Sequence, residues 1–526
     1  MAAANLKKRS LGQITGFLII MSTLSRVLGY VREIVMTTAF GQSWLTDAYK
    51  AAFLIPDFLY LVLIGGAFST AFIPVLSGYI ANNREDEASR VASTIFNLLI
   101  LALFLTIGIC YAGVPFIMRH FLAVGYAAKT QLLAVYLTRI MLLQSFFMCL
   151  SGVCQGICHV YQQFTAPAVG SLLYNIAILG FGIWLMPTIG ITGFAIGVVA
   201  GAYLNFLAQI PMLMKTGMHY HFVLDLRHPG VHEFFRLGLP VVLGLSVIYL
   251  NTFVTQNLGS RLHEGTITAL QNANRLMELP VGIFAIAIAS AYFPTLTQLV
   301  ATDDMAGYKE KLISGINLNN FIMIPASIGL AAVSEPLVRA LFMQGRFTEE
   351  NVQLTAAVLV FYCVGIIGYS QQQILNRGFY AILDTKSAVA INCFIILVNI
   401  GFSLLLVGTM GARGLALAYS IAGLISMILL YAVLRQKVHG LGGRIILASG
   451  LKILLASVVM GVCVNGFVQV APLFLDIASK SAQLVEFFGA VSVGIVVYML
   501  MAMVLHINEM DLAMDLVRRK LRRHSV

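Results

Sequence analysis

Long apolar runs separated by short polar segments cover almost the whole chain. Counting about 20 apolar residues for each membrane-spanning helix, we predict about fourteen spans. Their predicted centres are Met21, Phe58, Leu101, Phe146, Ile178, Val199, Val247, Ala285, Ile324, Val360, Ile396, Ile421, Val459 and Val496. Because a backbone in lipid must satisfy its own hydrogen bonds, the pattern predicts an all-α, multi-pass membrane protein.

Short segments of the first half of the chain recur in the same order in the second half. The pairs are 71–76 with 291–296, 114–119 with 335–339, and 190–195 with 411–416. Recurrence at one offset, here about 220 residues, indicates an internal repeat. Each copy holds about six predicted spans, so both copies share one orientation in the membrane, as in transporters with parallel repeats.

The repeat divides the chain into three predicted parts. Residues 1–225 form an N-terminal six-helix lobe, residues 226–440 a C-terminal six-helix lobe, and residues 441–526 two further spans with a basic cytoplasmic tail. In transporters of this plan the substrate site lies between the lobes. We therefore expect functional residues in both of them.

Charged residues are scarce and unevenly distributed. The 526-residue chain is 59% hydrophobic and 10% charged, with 33 Lys and Arg against 22 Asp and Glu. Soluble domains carry about a quarter charged residues, so the composition excludes a soluble globule. Basic clusters at residues 7–9 and 518–523 place both termini in the cytoplasm by the positive-inside rule. No small-residue cleavage site follows the first cluster, so we predict an uncleaved first span.

Five cations lie within predicted spans: Arg26, Arg32, Lys50, Arg139 and Arg275. Each arginine near the bilayer centre costs about 2.5–3.5 kcal/mol on insertion scales, which suggests a functional reason for keeping it. Arg26 and Arg32 lie about 9 Å apart along one helix, so both can border one cavity. Arg275 begins the corresponding region of the second lobe and can pair with Glu278. Lys50 can reach the membrane interface.

Embedded carboxylates are sparse. They are Glu33, Asp47, Asp57, Glu278 and, at a helix end, Asp384. Local pairing of Arg32 with Glu33 stays open, and Arg139 has no evident partner in its own span. A cavity weighted toward arginine suits a phosphate or carboxylate, which guanidinium binds through two parallel hydrogen bonds. An anionic substrate is therefore favoured over a cationic drug.

Enzyme and metal motifs are missing from the sequence. There is no phosphate loop, HExxH or GxSxG, so we predict a transporter without a bound cofactor. His219, His221, His228 and His232 lie between the lobes, and a solvated or interfacial loop explains them better than a metal site does. The seven cysteines lie in or beside apolar segments, which argues against a disulfide framework.

Motifs in both lobes resemble the MurJ (MviN) family of lipid II flippases, in the multidrug/oligosaccharidyl-lipid/polysaccharide exporter superfamily. They lie at 24–33, 39–41, 46–49, 55–56 and 66–74, and at 274–284, 341–342, 345–348, 378–381 and 384–386. The resemblance implies a flippase that moves lipid II, the lipid-linked peptidoglycan precursor, from the cytoplasmic to the outer leaflet by alternating access. Its expected location is the bacterial plasma membrane, and its expected role is cell-wall synthesis.

The resemblance also implies substrate-binding residues. Arg26, Arg32 and Arg275 match arginines that line the family's central cavity, and Asp47 matches an acidic residue after its first helix. Arg139 is added as a weaker substrate-binding candidate from its position within a span.

One wall of the cavity departs from the family pattern. Many members have two adjacent arginines followed by a glutamate where this chain has Tyr60, Leu61 and Gly65. This loss of charge leaves the exact lipid-linked glycan open.

Energy supply and partners follow from the same resemblance. Moving an anionic headgroup outward releases about 2.3 kcal/mol per charge per 100 mV, so the membrane potential can drive the cycle. Sodium coupling, which some members use, stays open. We expect a monomer whose partners are lipid II and membrane lipids, with no nucleic acid.

Other functions remain as alternatives. In the same class are export of another polyprenyl-linked glycan and multidrug antiport, although few embedded carboxylates are available for a proton relay. A membrane enzyme acting on polyprenyl phosphates should show an acidic motif in a loop. A scaffold for wall-synthesis proteins would not need buried arginines.

Overall fold

The computed structural model describes residues 11–65, 68–476 and 479–510. The basic clusters at 7–9 and 518–523, and Gly66 and Ala67 of the family-like motif, lie outside the described residues. The α-helices are α1 (Leu11–Phe40), α2 (Trp44–Ala52), α3 (Leu54–Tyr60), α4 (Ile73–Ala81), α5 (Glu85–Ile117), α6 (Ala128–Val160), α7 (Thr165–Ile189), α8 (Thr192–Leu213), α9 (Pro229–Ser260), α10 (Thr266–Pro280), α11 (Ile286–Ala301), α12 (Met305–Ala332), α13 (Ser334–Phe342), α14 (Glu349–Ala381), α15 (Thr385–Met410), α16 (Ala412–Lys437), α17 (Gly443–Val470) and α18 (Lys480–Val504).

The helices have the length and composition of membrane spans. Within the described parts of the chain, 13 helical stretches are long and apolar enough to cross a membrane. Every predicted centre from Phe58 to Val496 lies in one of them, and Met21 lies in α1, which is 30 residues long. The predicted all-α, multi-pass membrane fold is therefore confirmed.

Two spans contain π-helical turns at matching positions. One turn is Leu61–Gly65, which follows α3, and the other is Val281–Ala285, which follows α10. Pro280 immediately precedes the second turn and cannot donate a backbone hydrogen bond. Single π-turns inside long helices are uncommon and are frequent at functional sites.

Helix boundaries repeat along the chain with the offset seen in the sequence. α5, α6, α7 and α8 begin at Glu85, Ala128, Thr165 and Thr192, and α12, α14, α15 and α16 begin at Met305, Glu349, Thr385 and Ala412. The backbone conformation that ends α7 is repeated at the end of α15, because Gly190 and Gly411 have φ of 59° and 57°. These shared boundaries support a structural repeat.

The chain forms two compact units, Met1–Ile267 and Thr268–Val526. This division differs from the predicted lobes in the placement of α9, which packs in the first unit against α4, α5 and the π-helical turns Leu61–Gly65, Phe68–Phe72 and Met118–Leu122. The lobe boundary after residue 225 stays a prediction, because a repeat in sequence and a compact unit in space need not coincide.

Small residues allow close helix packing within each unit. In the second unit, α14 packs against α16, and a Cβ on Gly368 would lie 2.3 Å from the Gly423 carbonyl carbon. Such close backbone approaches are typical of helix packing in membranes. The last two spans belong to this unit: α17 packs on α12, and the Tyr498 hydroxyl of α18 donates to the Phe321 carbonyl oxygen at 2.7 Å.

Candidate functional site

Arg26 lines a cavity of about 540 Å³ inside the first unit. The cavity is bordered by α1, α6, α7, α8 and Tyr60 at the end of α3. Its polar lining consists of Ser22, Ser25, Arg26, Tyr60, Ser151, Gln155, His159, Ser171, Tyr174 and Asn205. Among these described lining residues Arg26 is the one Lys or Arg, so a single guanidinium faces a wall of neutral hydrogen-bonding groups.

Hydrogen bonds to α7 fix the part of α1 that carries Arg26. The Ser25 hydroxyl lies 2.9 Å from the Ser171 hydroxyl, and the Asn175 amide donates to Ser25 Oγ at 3.0 Å. Because Ser25 directly precedes Arg26, these contacts hold the arginine's backbone at the cavity wall. Ser171 and Asn175 were not predicted as site residues. Their signal was weak, since single polar residues are common in apolar spans.

The opposite wall of the cavity is a neutral network. The Gln209 amide donates to the Ser151 hydroxyl and to Asn205 Oδ1 at 2.5 and 3.2 Å. Tyr60, which stands where many family members have arginine, also lines this cavity. Of the three positions where the sequence analysis expects a departure from the family pattern, Tyr60 is the one that lines this cavity, and the departure itself stays a prediction.

Arg32 lies one and a half turns beyond Arg26 on α1 and is half-buried. Its electrostatic neighbours are Tyr49, Tyr174, Glu33 and Asp57. Glu33 also forms an ion pair with Lys50 of α2, and the local pairing of Arg32 with Glu33 stays a prediction. The expectation that Lys50 reaches the membrane interface is wrong, because its side chain is 4% exposed.

Asp47 of α2 is buried and holds the loop that leads into α10. Its Oδ2 accepts a hydrogen bond from the Gly265 backbone N–H at 2.7 Å. Gly265 has φ of +86°, a region that favours glycine. Asp47 does not line the Arg26 cavity, and its predicted contact with substrate stays a prediction.

Arg139 of α6 lies outside the Arg26 cavity. Its partner is Tyr111 of α5: the guanidinium carbon lies 4.7 Å from the ring centroid, and Nε donates to the Tyr111 carbonyl oxygen at 3.3 Å. This partner could not be identified from the sequence because it lies on another helix. A substrate role for Arg139 also stays a prediction.

Arg275 of α10 lies in the second unit and is half-buried. It interacts electrostatically with Glu278, as the spacing of three residues predicted. Glu278 in turn lies within electrostatic range of Tyr362 and Tyr419. A third tyrosine, Tyr369, stacks on Tyr419 with ring centroids 4.4 Å apart. Arg275 therefore stands beside an acidic and aromatic cluster.

Metal and disulfide chemistry find little support. In the parts of the chain that the structure describes, no group of three His, Cys, Asp or Glu side chains could hold a metal ion. His228 instead caps α9, accepting from Gly230 N at 3.1 Å. All seven cysteines are free thiols in the structure.

Together, the repeated helices and the embedded arginines define the class: a multi-pass membrane transporter built on a tandem repeat. The comparisons with known proteins then identify the family. Residues 36–506 match the family Lipid II flippase MurJ, and the chain belongs to this family. The matched range begins after Arg26 and Arg32 and includes Asp47, Arg139 and Arg275.

Individual relatives agree with this assignment. The chain is 30% identical over 437 residues to the lipid II flippase MurJ of Burkholderia cenocepacia, covering 82% of this chain and 84% of that protein. It is 29% identical over 502 residues to a probable lipid II flippase MurJ of Bdellovibrio bacteriovorus, covering 93% and 94%.

Solved structures show the same fold. A structure of the lipid II flippase MurJ in an inward closed conformation matches with a TM-score of 0.78 and 26% identity, covering 93% of this chain and 98% of that one. An inward-facing multidrug resistance transporter of the MATE family and the MOP superfamily matches with a TM-score of 0.65 over 80% of this chain and 98% of that one. At 17% identity, the second match shows the fold alone.

Proposed function

We propose that this chain moves lipid II from the cytoplasmic to the outer leaflet of the plasma membrane by alternating access, for peptidoglycan synthesis. Membership of the lipid II flippase MurJ family supports the substrate class. The observation that carries the proposal in this chain is Arg26, an exposed guanidinium that lines a cavity of about 540 Å³ together with nine neutral polar residues.

The chemistry of the cavity suits a diphosphate attached to sugars. Guanidinium binds phosphate oxygens through paired, charge-assisted hydrogen bonds. The neutral hydroxyl and amide groups around Arg26 can bind sugar hydroxyls or amides without adding charge. We propose Arg26, Arg32 and Arg275 as the main headgroup-binding residues, with Asp47 and Arg139 as secondary candidates.

The proposed energy source is the membrane potential. An anionic headgroup moving outward is assisted by about 2.3 kcal/mol per charge per 100 mV. The chain then works as a monomeric transporter rather than an enzyme, with both termini in the cytoplasm. Sodium coupling is a separate proposal, to be tested by replacing sodium with potassium in the transport assay.

Depletion of the protein in its host tests the function directly. We expect lipid II to accumulate in the cytoplasmic leaflet and growth to stop. A plasmid copy carrying Arg26→Ala should be present in the membrane at normal levels and fail to restore outward lipid II, while Arg26→Lys restores part of it. Arg84→Ala removes an exposed cation outside the spans and is the matched control. Normal outward lipid II in the Arg26→Ala strain would refute the proposed role of the cavity.

Tyr60 favours one second candidate, the export of another polyprenyl-linked glycan. It replaces a charged residue of many family members and lines the Arg26 cavity, so the wall that binds the glycan differs in chemistry. Accumulation of a lipid-linked glycan other than lipid II after depletion would favour this candidate.

A further inference from the structure

The segment between α8 and α9 exposes a row of large apolar side chains. Tyr220, Phe222, Leu224 and Leu226 are 59%, 93%, 54% and 58% exposed. They recur at every second position, as side chains on one face of an extended chain do. Between them, Val223 and Asp225 are less exposed. We call residues 218–226 the strap.

Hydrogen bonds fix the strap to one face of α5. The Asn97 amide donates to the carbonyl oxygens of His221 and Val223 at 3.2 and 2.9 Å. The hydroxyls of Ser93 and Thr94 accept from the backbone N–H groups of His221 and Asp225 at 3.0 and 3.3 Å. The Tyr220 hydroxyl donates to Asn97 Oδ1 at 2.7 Å and its ring contacts Phe96, so Tyr220 lies along α5. The exposed side chains of Phe222, Leu224 and Leu226 then extend from a backbone that α5 holds in place.

Aqueous solvent is a poor environment for this row. Burial of large apolar side chains is favourable, and contiguous exposed apolar patches mark interaction surfaces. The strap joins two membrane spans, so it lies at a membrane surface. On either side of the strap in the chain, Met214 after α8 and Phe235 in α9 are also 79% and 43% exposed.

Polar residues of the strap region match the chemistry of a bilayer surface. Lys215, His219, His221 and Arg227 are exposed, whereas Asp225 is half-buried and its backbone N–H bonds to Thr94 of α5. The acidic Glu233 is also exposed, on α9. Aromatic rings with basic neighbours are typical of the layer between lipid headgroups and acyl chains.

We propose that the strap is a lipid-docking surface, whose Phe222, Leu224 and Leu226 side chains enter the headgroup–acyl boundary of the bilayer. The partner is the lipid surface itself. Apolar side chains of interfacial segments lie about 5–10 Å into this boundary. The strap then anchors the connection between α8 and α9 at the membrane surface, independently of which headgroup the protein transports.

A single tryptophan at position 222 tests the proposal. The chain has two tryptophans, Trp44 and Trp184, which Phe replaces in the background variant. Phe222→Trp should fold normally because the native side chain is almost fully exposed. In nanodiscs we expect a blue-shifted emission that loses intensity when the lipid carries bromine near the ester end of its chains. Asn82→Trp, in the exposed turn after α4, is the matched control and should emit as in water without quenching.

Two results would overturn the lipid-docking surface. The Asn82 turn also joins two spans but has only polar residues, so emission from Phe222→Trp that matches the Asn82→Trp control would show that the strap does not enter the bilayer. Blue-shifted emission without bromine quenching would place it against protein. A normal elution profile of each variant in detergent confirms that the comparison concerns folded protein.

Discussion

Glu33 of α1 and Lys50 of α2 form an ion pair in which both side chains are 4% exposed. The two residues are 17 positions apart and belong to different helices, so the pair joins the helix that carries Arg26 and Arg32 to the one that carries Asp47. A buried pair of this kind gives little net stability, but removal of one partner leaves a buried charge behind.

We expect Lys50→Met to destabilise the protein by about 3–5 kcal/mol, because Glu33 would remain charged and poorly solvated. The double variant Glu33→Gln, Lys50→Met should recover a large part of this loss, since it removes both charges. Thermal unfolding in one detergent measures the difference. The exposed pair Arg84–Glu87 is the control, and Arg84→Ala should change the thermal midpoint little because solvent screens the pair. An equal loss of stability in Lys50→Met and in the double variant Glu33→Gln, Lys50→Met would contradict a stabilising role for the ion pair.

The architecture was largely predictable from the sequence because lipid imposes a simple rule on length and hydropathy. Each predicted centre falls in a long helix, and the offset of about 220 residues reappears in helix boundaries and in the left-handed turns at Gly190 and Gly411. The π-helical turns and the packing of α9 with the first unit were not predictable. They depend on contacts between distant helices, which periodicity does not contain.

The site was predictable in its residue types and less so in its partners. Arg26 could be identified as a candidate site residue because the insertion of an arginine into lipid costs free energy. The structure then shows which helices face each cation: Arg139 meets Tyr111, and Lys50 meets Glu33. A single sequence gives the position of a charge along its own helix, but the identity of the opposite helix depends on tertiary packing.

Gly265 should be much less tolerant of substitution than Gly217, although both have positive φ. A Cβ on Gly265 would lie 2.6 Å from the Gln42 carbonyl oxygen, while the space around Gly217 is open. Gly217→Ala should therefore cost only the backbone strain of about 1–2 kcal/mol. Gly265→Ala adds a steric clash and weakens the hydrogen bond to Asp47, so its thermal midpoint should fall further. Equal midpoints for the two variants would show that the loop relaxes freely.

Arg139 and Arg26 should differ in their effect on transport. Loss of one charge-assisted contact to a headgroup costs about 1.5–3 kcal/mol, which corresponds to roughly 10–100-fold in affinity. We expect Arg26→Ala to lose lipid II binding to this extent. Arg139→Ala should change it little, because this guanidinium is occupied by Tyr111 outside the cavity. Native mass spectrometry with added lipid II measures both. A comparable loss for Arg139→Ala would show that it binds the headgroup as strongly as Arg26 and is not a secondary residue.

Asp384 should make stability depend on acidic pH. It lies between α14 and α15, where its Oδ1 accepts from Ser387 N at 3.1 Å and its Oδ2 lies 2.5 Å from Lys437 Nζ. The Lys437 ammonium and the Ser387 contacts hold the pKa of the Asp384 carboxyl below its ordinary value.

A carboxyl with a lowered folded pKa stabilises the protein fully above the unfolded pKa, about 3.9 for Asp, and this stabilisation is lost as pH falls through the lower folded value. Asp384→Asn should therefore lower the thermal midpoint at pH 7, and the gap to the native protein should shrink as the pH is lowered below about 4. A gap that stays constant over this range would mean that the charge of Asp384 contributes nothing to the stability of the α14–α15 turn.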